Sequence, residues 1–390
     1  MRDMMNDAGL FRSAIPCLRD SANIEQIHKG YSSDSKYIVY GQSGWPQYIL
    51  RTYGIDQVEN KRMEYSRLIM MEEQGVTCSR AVDIGVLPNK RLGYMIVSYV
   101  EGNEASDDLP LLPGKEQYAI GVQAGEELQK IHHVACPDSM KSWHDRMAAK
   151  HQRYRSEYAS CGVAIDHEER LLSFIDGHLH LMQDRPNLFQ HDDYHSGNLI
   201  VKDGKLSGVI DFNRSDWGDP LHDFVKVGMF SAEVSVPFAV GQIRGYHHHN
   251  EPDEAFWRLY SLYLGMTLIS SVVWILKVRP EELDSMMMKI DRVMDDHDHF
   301  ELIVPKWYTR FPLEAHAPTS LITYTSGELA KYFGVSQTTI TNWHEGGRFE
   351  GITYHPGKQL RVPEDTRFRL ASGGLLPISE VVEMWHKENE

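Results

Sequence analysis

The sequence predicts an α+β chain built from three unlike parts, and three observations carry that reading. Runs of β-prone residues separated by turn residues fill the first hundred positions. From Gln117 the apolar spacing becomes helical, and after the stretch PLEAHAPTS, which starts at Pro312, a short segment shows helix-turn-helix signals. At 390 residues the chain is long enough for two or three domains with separate cores. The boundaries follow as 1–102, 103–312, a linker at 313–321 and a terminal module at 322–390.

Tyr37 to Gln42 and Tyr48 to Tyr53 are two β-prone runs joined by Ser43-Gly44-Trp45-Pro46, which predicts a hairpin. Gln57 to Gln74 reads as a helix with Leu68 and Met71 on one stripe. Glu64 lies on that same stripe. A carboxylate on a buried helix face needs a partner, and Arg51 in the preceding strand is the candidate. Strands are expected again around Ala81 to Val86 and Gly93 to Val97, running into Ser98-Tyr99-Val100-Glu101-Gly102.

The middle part opens with a helix carrying Ala119, Val122, Ala124, Leu128 and Ile131, ended by His132-His133. No Cys or carboxylate cluster completes a metal set around those histidines, so they read as helix-end residues. His247-His248-His249 reads as a solvated loop, since three consecutive side chains cannot face one ion. The most informative stretch is FQHDDYHSGNLIVKDGKLSGVIDFNRSDWGDPLHD, residues 189–223. A loop with His191, Asp193 and Asn198 leads into a strand at Leu199 to Val201. An Asp203-Gly204 turn then returns a second strand, Leu206 to Ile210, that ends on Asp211. The hairpin brings Asn198 and Asp211 together, and two oxygen ligands there suit a hard cation such as Mg²⁺, completed by phosphates.

This stretch resembles the catalytic segment of the aminoglycoside phosphotransferase family, small-molecule kinases related to protein kinases. The resemblance implies a two-lobed protein-kinase-like fold, with a β-sheet and helix lobe followed by a mostly helical one. It implies that Asp193 orients or deprotonates the substrate hydroxyl, that His191 braces the loop, and that Asn198 and Asp211 hold Mg²⁺ on the phosphates of ATP or GTP. Arg51, paired with Glu64, would hold the α and β phosphates, and backbone groups of Ser98 and Val100 in the interlobe hinge would bind the purine. Gly218-Asp219-Pro220 and Asp223 also match, the latter as a structural tie to the catalytic loop. Asp192 stands where the family has Gly, and Asn213 where Gly or an acidic residue is common. An extra carboxylate beside the base would raise the Asp193 pKa if it pointed inward.

The expected activity is transfer of a phosphoryl group to a hydroxyl of a small molecule, with an aminoglycoside or other antibiotic as acceptor. A sugar, choline-like or amino-acid acceptor is the alternative. A different class of function is a transcriptional regulator whose kinase-like part only senses a ligand. Acidic candidates for binding a polyamine are Glu104, Asp107, Asp108, Asp145, Asp216 and the Glu251 to Glu254 stretch; residues 1–320 carry a balance of -13.

In the terminal module, Thr325-Ser326-Gly327-Glu328 has capping-box spacing and opens a helix through Phe333. Gly334-Val335-Ser336 makes a turn and Gln337 to His344 a second helix, over a core of Leu329, Ala330, Phe333, Val335, Ile340 and Trp343. Arg348 to Tyr354 and Lys358 to Val362, separated by His355-Pro356-Gly357, read as a wing. The segment is similar to winged helix-turn-helix domains of the excisionase and mercury-resistance regulator type. That resemblance puts Gln337, Thr338, Thr341 and Asn342 in the DNA major groove and Arg348, Lys358 and Arg361 on phosphates. Residues 321–390 nevertheless have a balance of -2, whereas phosphate neutralisation needs positive charge. Docking of another protein, or formation of a homodimer, is the alternative role.

The formal net charge of -15 argues against nonspecific attraction to nucleic acid or anionic membrane. Four scattered cysteines without a Cys-x-x-Cys pair suit a reduced, cytoplasmic setting. The first residues lack the apolar run of a signal peptide, and Leu262 to Leu276 is too short to span a bilayer, so it is expected to be a buried helix.

Overall fold

The computed structural model describes residues 2–28, 34–87, 91–137, 140–313, 323–349, 360–363, 366–370 and 374–389. The chain divides into two compact units, Met1–His316 and Ala317–Glu390.

The first unit begins with helix α1 (Arg2–Ala14) and strands β1 (Asn23–Ile27), β2 (Ser35–Tyr40) and β3 (Pro46–Gly54), then helix α2 (Val58–Glu73), β4 (Ala81–Leu87) and β5 (Leu92–Ser98). The five strands form one antiparallel sheet in the order β1-β2-β3-β5-β4. Period-two alternation divides its two faces. Leu50 and Ile96 pack with Phe11, Ile15 and Leu18 beneath α1, while Tyr53, Met95 and Val97 join Leu68 and Met71 of α2 in the main core. Arg51 is two residues from Tyr53, so it faces α2. The α1 helix is an element the sequence reading left out; its apolar anchor Phe11 meets Tyr37 edge-on, with ring centroids 5.1 Å apart.

The chain crosses to the helical lobe through Gly102 and strand β6 (Asn103–Glu104), which pairs with the later hairpin at Asn103↔Val201. Gly102 has φ +128°, and a Cβ there would lie 2.1 Å from the Val201 carbonyl oxygen, so no other residue fits. The lobe then comprises α3 (Ala105–Asp108), α4 (Gly114–Ile131), α5 (Trp143–Tyr158), α6 (Glu168–His178), β7 (Leu188–Gln190), β8 (Leu199–Lys202), β9 (Lys205–Val209), β10 (Asp216–Gly218), α7 (Ala232–Val234), α8 (Val236–Tyr246), α9 (Glu254–Val278), α10 (Leu283–Asp296) and α11 (Lys306–Thr309).

Helices α4 and α8 touch backbone to backbone. Cβ atoms on Gly121 and Gly125 would fall 2.1 and 2.2 Å from the carbonyl oxygens of Phe238 and Gln242, and Gly241 and Gly245 are equally crowded by α4. Two glycine pairs spaced by four residues make this crossing. Helix α9, longer than the apolar stretch that announced it, is long and apolar enough to cross a membrane, yet 72% of its most apolar window is buried inside the unit. It is the central core helix of the lobe.

The second unit contains β11 (Thr323–Thr325), α12 (Ser326–Tyr332), α13 (Gln337–Glu345), β12 (Arg361–Pro363), β13 (Arg367–Arg369), β14 (Leu375–Pro377) and α14 (Ile378–Asn389). The capping box forms: Thr325 Oγ1 accepts from Glu328 N–H at 3.2 Å and Glu328 Oε2 accepts from Thr325 N–H at 2.7 Å. Gly334, at φ +63°, ends α12, and Ser336 caps α13. Leu329, Ile340, Phe349, Val362, Phe368 and Ile378 form a small core of their own. Residues 350–359, which hold most of the expected wing, lie outside the described residues. Of its second strand, Arg361–Pro363 pairs with Thr323–Thr325, the strand that precedes the first helix.

Candidate active site

The hairpin of β8 and β9 turns at Asp203-Gly204, both residues with positive φ, which matches the right-handed strand twist. At the open end of the hairpin, Ile210 N–H donates to the Asn198 carbonyl at 3.0 Å, so Asn198 and Asp211 stand side by side. The loop before β8 is held from beneath by Asp223, wholly buried. Its carboxylate accepts from His191 N–H at 2.9 Å, from Asp192 N–H at 2.7 Å and from His132 Nε2 at 2.9 Å. The His191 ring is buried too: Nδ1 accepts from Asp193 N–H at 3.3 Å, which places the ring proton on Nε2, donated to the Ile210 carbonyl at 3.0 Å. Asp219, equally buried, takes both edges of Arg185 at 2.6 and 3.0 Å and the Tyr263 hydroxyl at 2.7 Å. His132 is thus more than a helix end, since Tyr246 holds its other nitrogen at 2.9 Å. Of the histidine run, His247 is partly buried against Phe224 and Phe256, and only His248 is exposed.

Asp193 emerges from this support into a cationic surrounding. Lys226 Nζ is 2.9 Å from Oδ1, His195 Nε2 3.7 Å and Arg214 Nε 3.8 Å from Oδ2. Burial pushes the Asp193 carboxyl up, but Lys226 first and then His195 and Arg214 outweigh it and hold the group below the usual aspartate range. Burial pushes the His195 imidazole down to about 4. The Asn198 amide donates to the Asp193 carbonyl at 2.9 Å. Asp211, in left-handed backbone geometry, has a buried Oδ1 with no hydrogen-bond partner among the described residues, and Lys36 at 3.7 Å and Arg51 at 3.9 Å stand near its carboxylate. Such an orphaned, partly buried oxygen beside an Asn amide fits a hard cation.

Arg51 and Glu64 meet at 2.5 Å, and two further residues complete a buried quartet. Asp34 takes Arg51 Nε at 2.9 Å and Lys61 Nζ at 2.7 Å, and Lys61 also reaches Glu64 at 3.1 Å. Burial and four ion pairs balance here, with Arg51 raised above its ordinary value by Glu64, Asp211 and Asp34. At the end of β5, Ser98 N–H is donated to the Arg80 carbonyl at 2.9 Å, so it is engaged within the protein. Among the described residues the Val100 N–H has no backbone partner.

Asp192, the residue that departs from the resemblance, turns away from Asp193. Its φ is +58°, and Oδ1 lies 3.1 Å from His222 Nδ1. Burial pushes its carboxyl up, but His222 outweighs it and keeps it far below the usual range. A cavity of about 460 Å³ opens beside both aspartates between α5, α9 and α10. None of the acidic candidates for polyamine binding lines it. Asp216 pairs with Arg146, Glu251 with Arg244, Asp108 with Asn103, and Asp145 sits in the first turn of α5.

A family model described as the phosphotransferase enzyme family matches residues 23–260. The chain belongs to the phosphotransferase enzyme family. Among solved structures it is similar to the GDP complex of wild-type aminoglycoside 2'-phosphotransferase-IIIa, at 13% identity and TM-score 0.58 over 75% of this chain and 99% of that one. It is also similar to the ADP-bound aminoglycoside phosphotransferase APH(2'')-Ib, at 15% identity and TM-score 0.53 over 76% and 99%. A thermostable mutant of APH(4)-Ia in ternary complex with ADP and hygromycin B gives 15% identity and TM-score 0.53 over 72% and 96%. At these identities the likeness is one of fold: the sheet lobe and helical lobe are those of an aminoglycoside phosphotransferase. No curated protein matches the chain.

Around this phosphotransferase site the sequence reading missed Asp34, Lys36, Lys61, Lys226 and His222. Only Lys36 carried a signal, since it lies directly opposite Arg51 in the β2–β3 register. In the second unit Gln337, Thr338, Thr341 and Asn342 are exposed on one side of α13. Arg348, expected on phosphates, is half-buried. Its guanidinium lies 4.5 Å from the rings of Trp343 and of Phe368, and Nε donates to the Arg369 carbonyl at 2.9 Å, so it covers the core. The side chains of Lys358 and Arg361 lie outside the described residues.

Proposed function

We propose that this phosphotransferase passes the γ-phosphoryl group of ATP or GTP to a hydroxyl of a small molecule. The observation that carries the reading is the convergence of Asp193, Asn198, Arg51 and a carboxylate oxygen of Asp211 that, among the described residues, accepts no hydrogen bond. A Mg²⁺ ion would be held by Asp211 and the Asn198 side-chain carbonyl, and when bound it neutralises charge on the phosphate oxygens.

The protein's own groups do the rest by position and charge. Glu64 and Asp34 hold the Arg51 guanidinium so that its Nη1 side faces Asp211, and Lys36 adds a second cation there. These two groups would receive phosphate oxygens. The Asp193 carboxylate, ionised at neutral pH, accepts the hydrogen bond of the acceptor hydroxyl and aims the oxygen lone pair at the γ-phosphorus. As the new O–P bond forms and the bond to the β–γ bridging oxygen breaks, the hydroxyl proton passes to Asp193 and the nucleoside diphosphate leaves. A carboxyl held below its usual pKa is a weak base, so the proton moves late. An aminoglycoside is the acceptor class named in the solved relatives.

The test is acceptor-dependent nucleotide turnover by the wild type and Asp193→Ala. The expected loss in kcat is about 10²–10⁴-fold with nucleotide affinity retained. Equal turnover by both proteins sinks the reading and favours a ligand-sensing regulator.

For residues 323–389 we propose a DNA-binding helix-turn-helix module, because α13 presents Gln337, Thr338, Thr341 and Asn342 together to solvent. A mobility shift of the protein's own promoter region at moderate salt is expected, weakened by Gln337→Ala with Asn342→Ala. No shift at micromolar protein leaves protein docking or dimerisation as the role.

A further inference from the structure

Building on the phosphotransfer reading, we propose that the acceptor is an uncharged or anionic hydroxyl compound with a sizeable apolar body, hydrogen-bonded to His151, rather than a polycationic aminoglycoside. The cavity that begins at Asp193 has a volume of about 460 Å³, enough for a small organic molecule. One wall is apolar: Met147, Met266, Trp274 and Met286 line it.

His151 of α5 lines the same cavity, is only 6% exposed, and has no hydrogen-bond partner on either ring nitrogen among the described residues. Burial and the nearby Arg155 push its imidazole down, so it is neutral and offers one donor and one acceptor. A buried polar group left in that state is unfavourable, and a ligand hydroxyl or carbonyl would satisfy it.

The charges decide the sign of the ligand. Lys150, Arg214, Lys226 and Lys289 line the cavity, against Asp192, Asp193 and Glu282. Each of these carboxylates is already engaged, Asp192 by His222 at 3.1 Å, Asp193 by Lys226 at 2.9 Å and Glu282 by Arg279 at 3.9 Å. Lys226 and Lys289 are paired in turn, with Asp193 and Glu233, yet the lining cations outnumber the lining carboxylates four to three, so the ammonium groups of an aminoglycoside would meet more like charge than opposite charge. Neutral or anionic ligands meet no such penalty.

The test uses the full-length protein and calorimetric titration with octanoate, octanol, octylamine and hygromycin B. Octanoate and octanol are expected to bind at least about ten-fold more tightly than octylamine, and hygromycin B not to compete. His151→Leu should weaken octanol about ten-fold, and His151→Gln, which keeps a donor and an acceptor, should recover part of that. Circular dichroism of both variants separates misfolding from lost binding. Lys150→Glu with Lys289→Glu should reverse the order in favour of the amine. Tighter binding of octylamine or hygromycin B, or binding of none of the four, overturns the proposal. Nucleotide affinity and the Asp193→Ala turnover are read separately, so failure of phosphotransfer itself shows in those measurements and not in the charge preference.

Discussion

Two buried charged clusters face the same reaction space and are built in opposite ways. Beneath the loop before β8, Asp223 is a wholly buried carboxylate that meets two backbone N–H groups and His132, and Asp219, buried beside it, meets the Leu221 N–H, the Tyr263 hydroxyl and the Arg185 guanidinium. Behind the sheet, Asp34, Arg51, Lys61 and Glu64 are two acids and two bases that satisfy one another. The first cluster fixes the path of a loop, because its acceptors are aimed at main-chain donors. The second fixes no backbone. It holds a cation in place beside Asp211, where a phosphate would bring negative charge.

Substitutions in the two clusters should separate stability from nucleotide handling. The largest effect is expected for Asp223→Ala, which strands His191 N–H, Asp192 N–H and His132 at once. A stability loss of about 3–5 kcal/mol is expected, read as a lower denaturant midpoint. A loss under about 1 kcal/mol breaks the comparison. Glu64→Gln comes next: Asp34 still holds Arg51 and Lys61, so the fold should persist while nucleotide affinity falls about ten-fold, measured by calorimetry with ATP and GTP. Equal damage to stability in the two variants would show that both clusters are merely structural.

The smallest expected effect sharpens the picture at Asp193. Lys226 is the largest influence lowering that carboxyl, against burial, which raises it. In Lys226→Met that influence is gone, so the carboxyl titrates at higher pH than in the wild type and the acid limb of kcat/KM moves up. The sign agrees with linkage: a depressed carboxylate stabilises the fold above its unfolded pKa, and that contribution is lost as pH falls through the folded value. An unmoved acid limb in the pH–rate profile contradicts the assignment.

Much of this architecture was legible residue by residue. The spacing of His191, Asp193, Asn198 and Asp211 was readable because a short hairpin joins them. Glu64 was readable because a carboxylate on the Leu68–Met71 stripe needs a buried cation. Asp34 and Lys61 were not, since one precedes a strand and the other resembles any polar helix residue. The stacking of Arg348 was not legible for the same reason: a free surface arginine and one stacked on Phe368 look identical until a residue twenty positions later is brought beneath it.

What the sequence determined by itself is therefore local: hairpin turns, the capping box at Thr325, the helix stripes and the loop chemistry, all set by residues within a few positions of one another. The tertiary structure alone decided which charges meet at the cavity. The acidic stretches that seemed suited to a polyamine do not line it, while Lys150 of α5, Lys226 and Lys289 of α10 do, with Lys226 against Asp193. Net charge is a sum over the chain, but a ligand senses the few charges within a Debye length, and only folding chooses which those are.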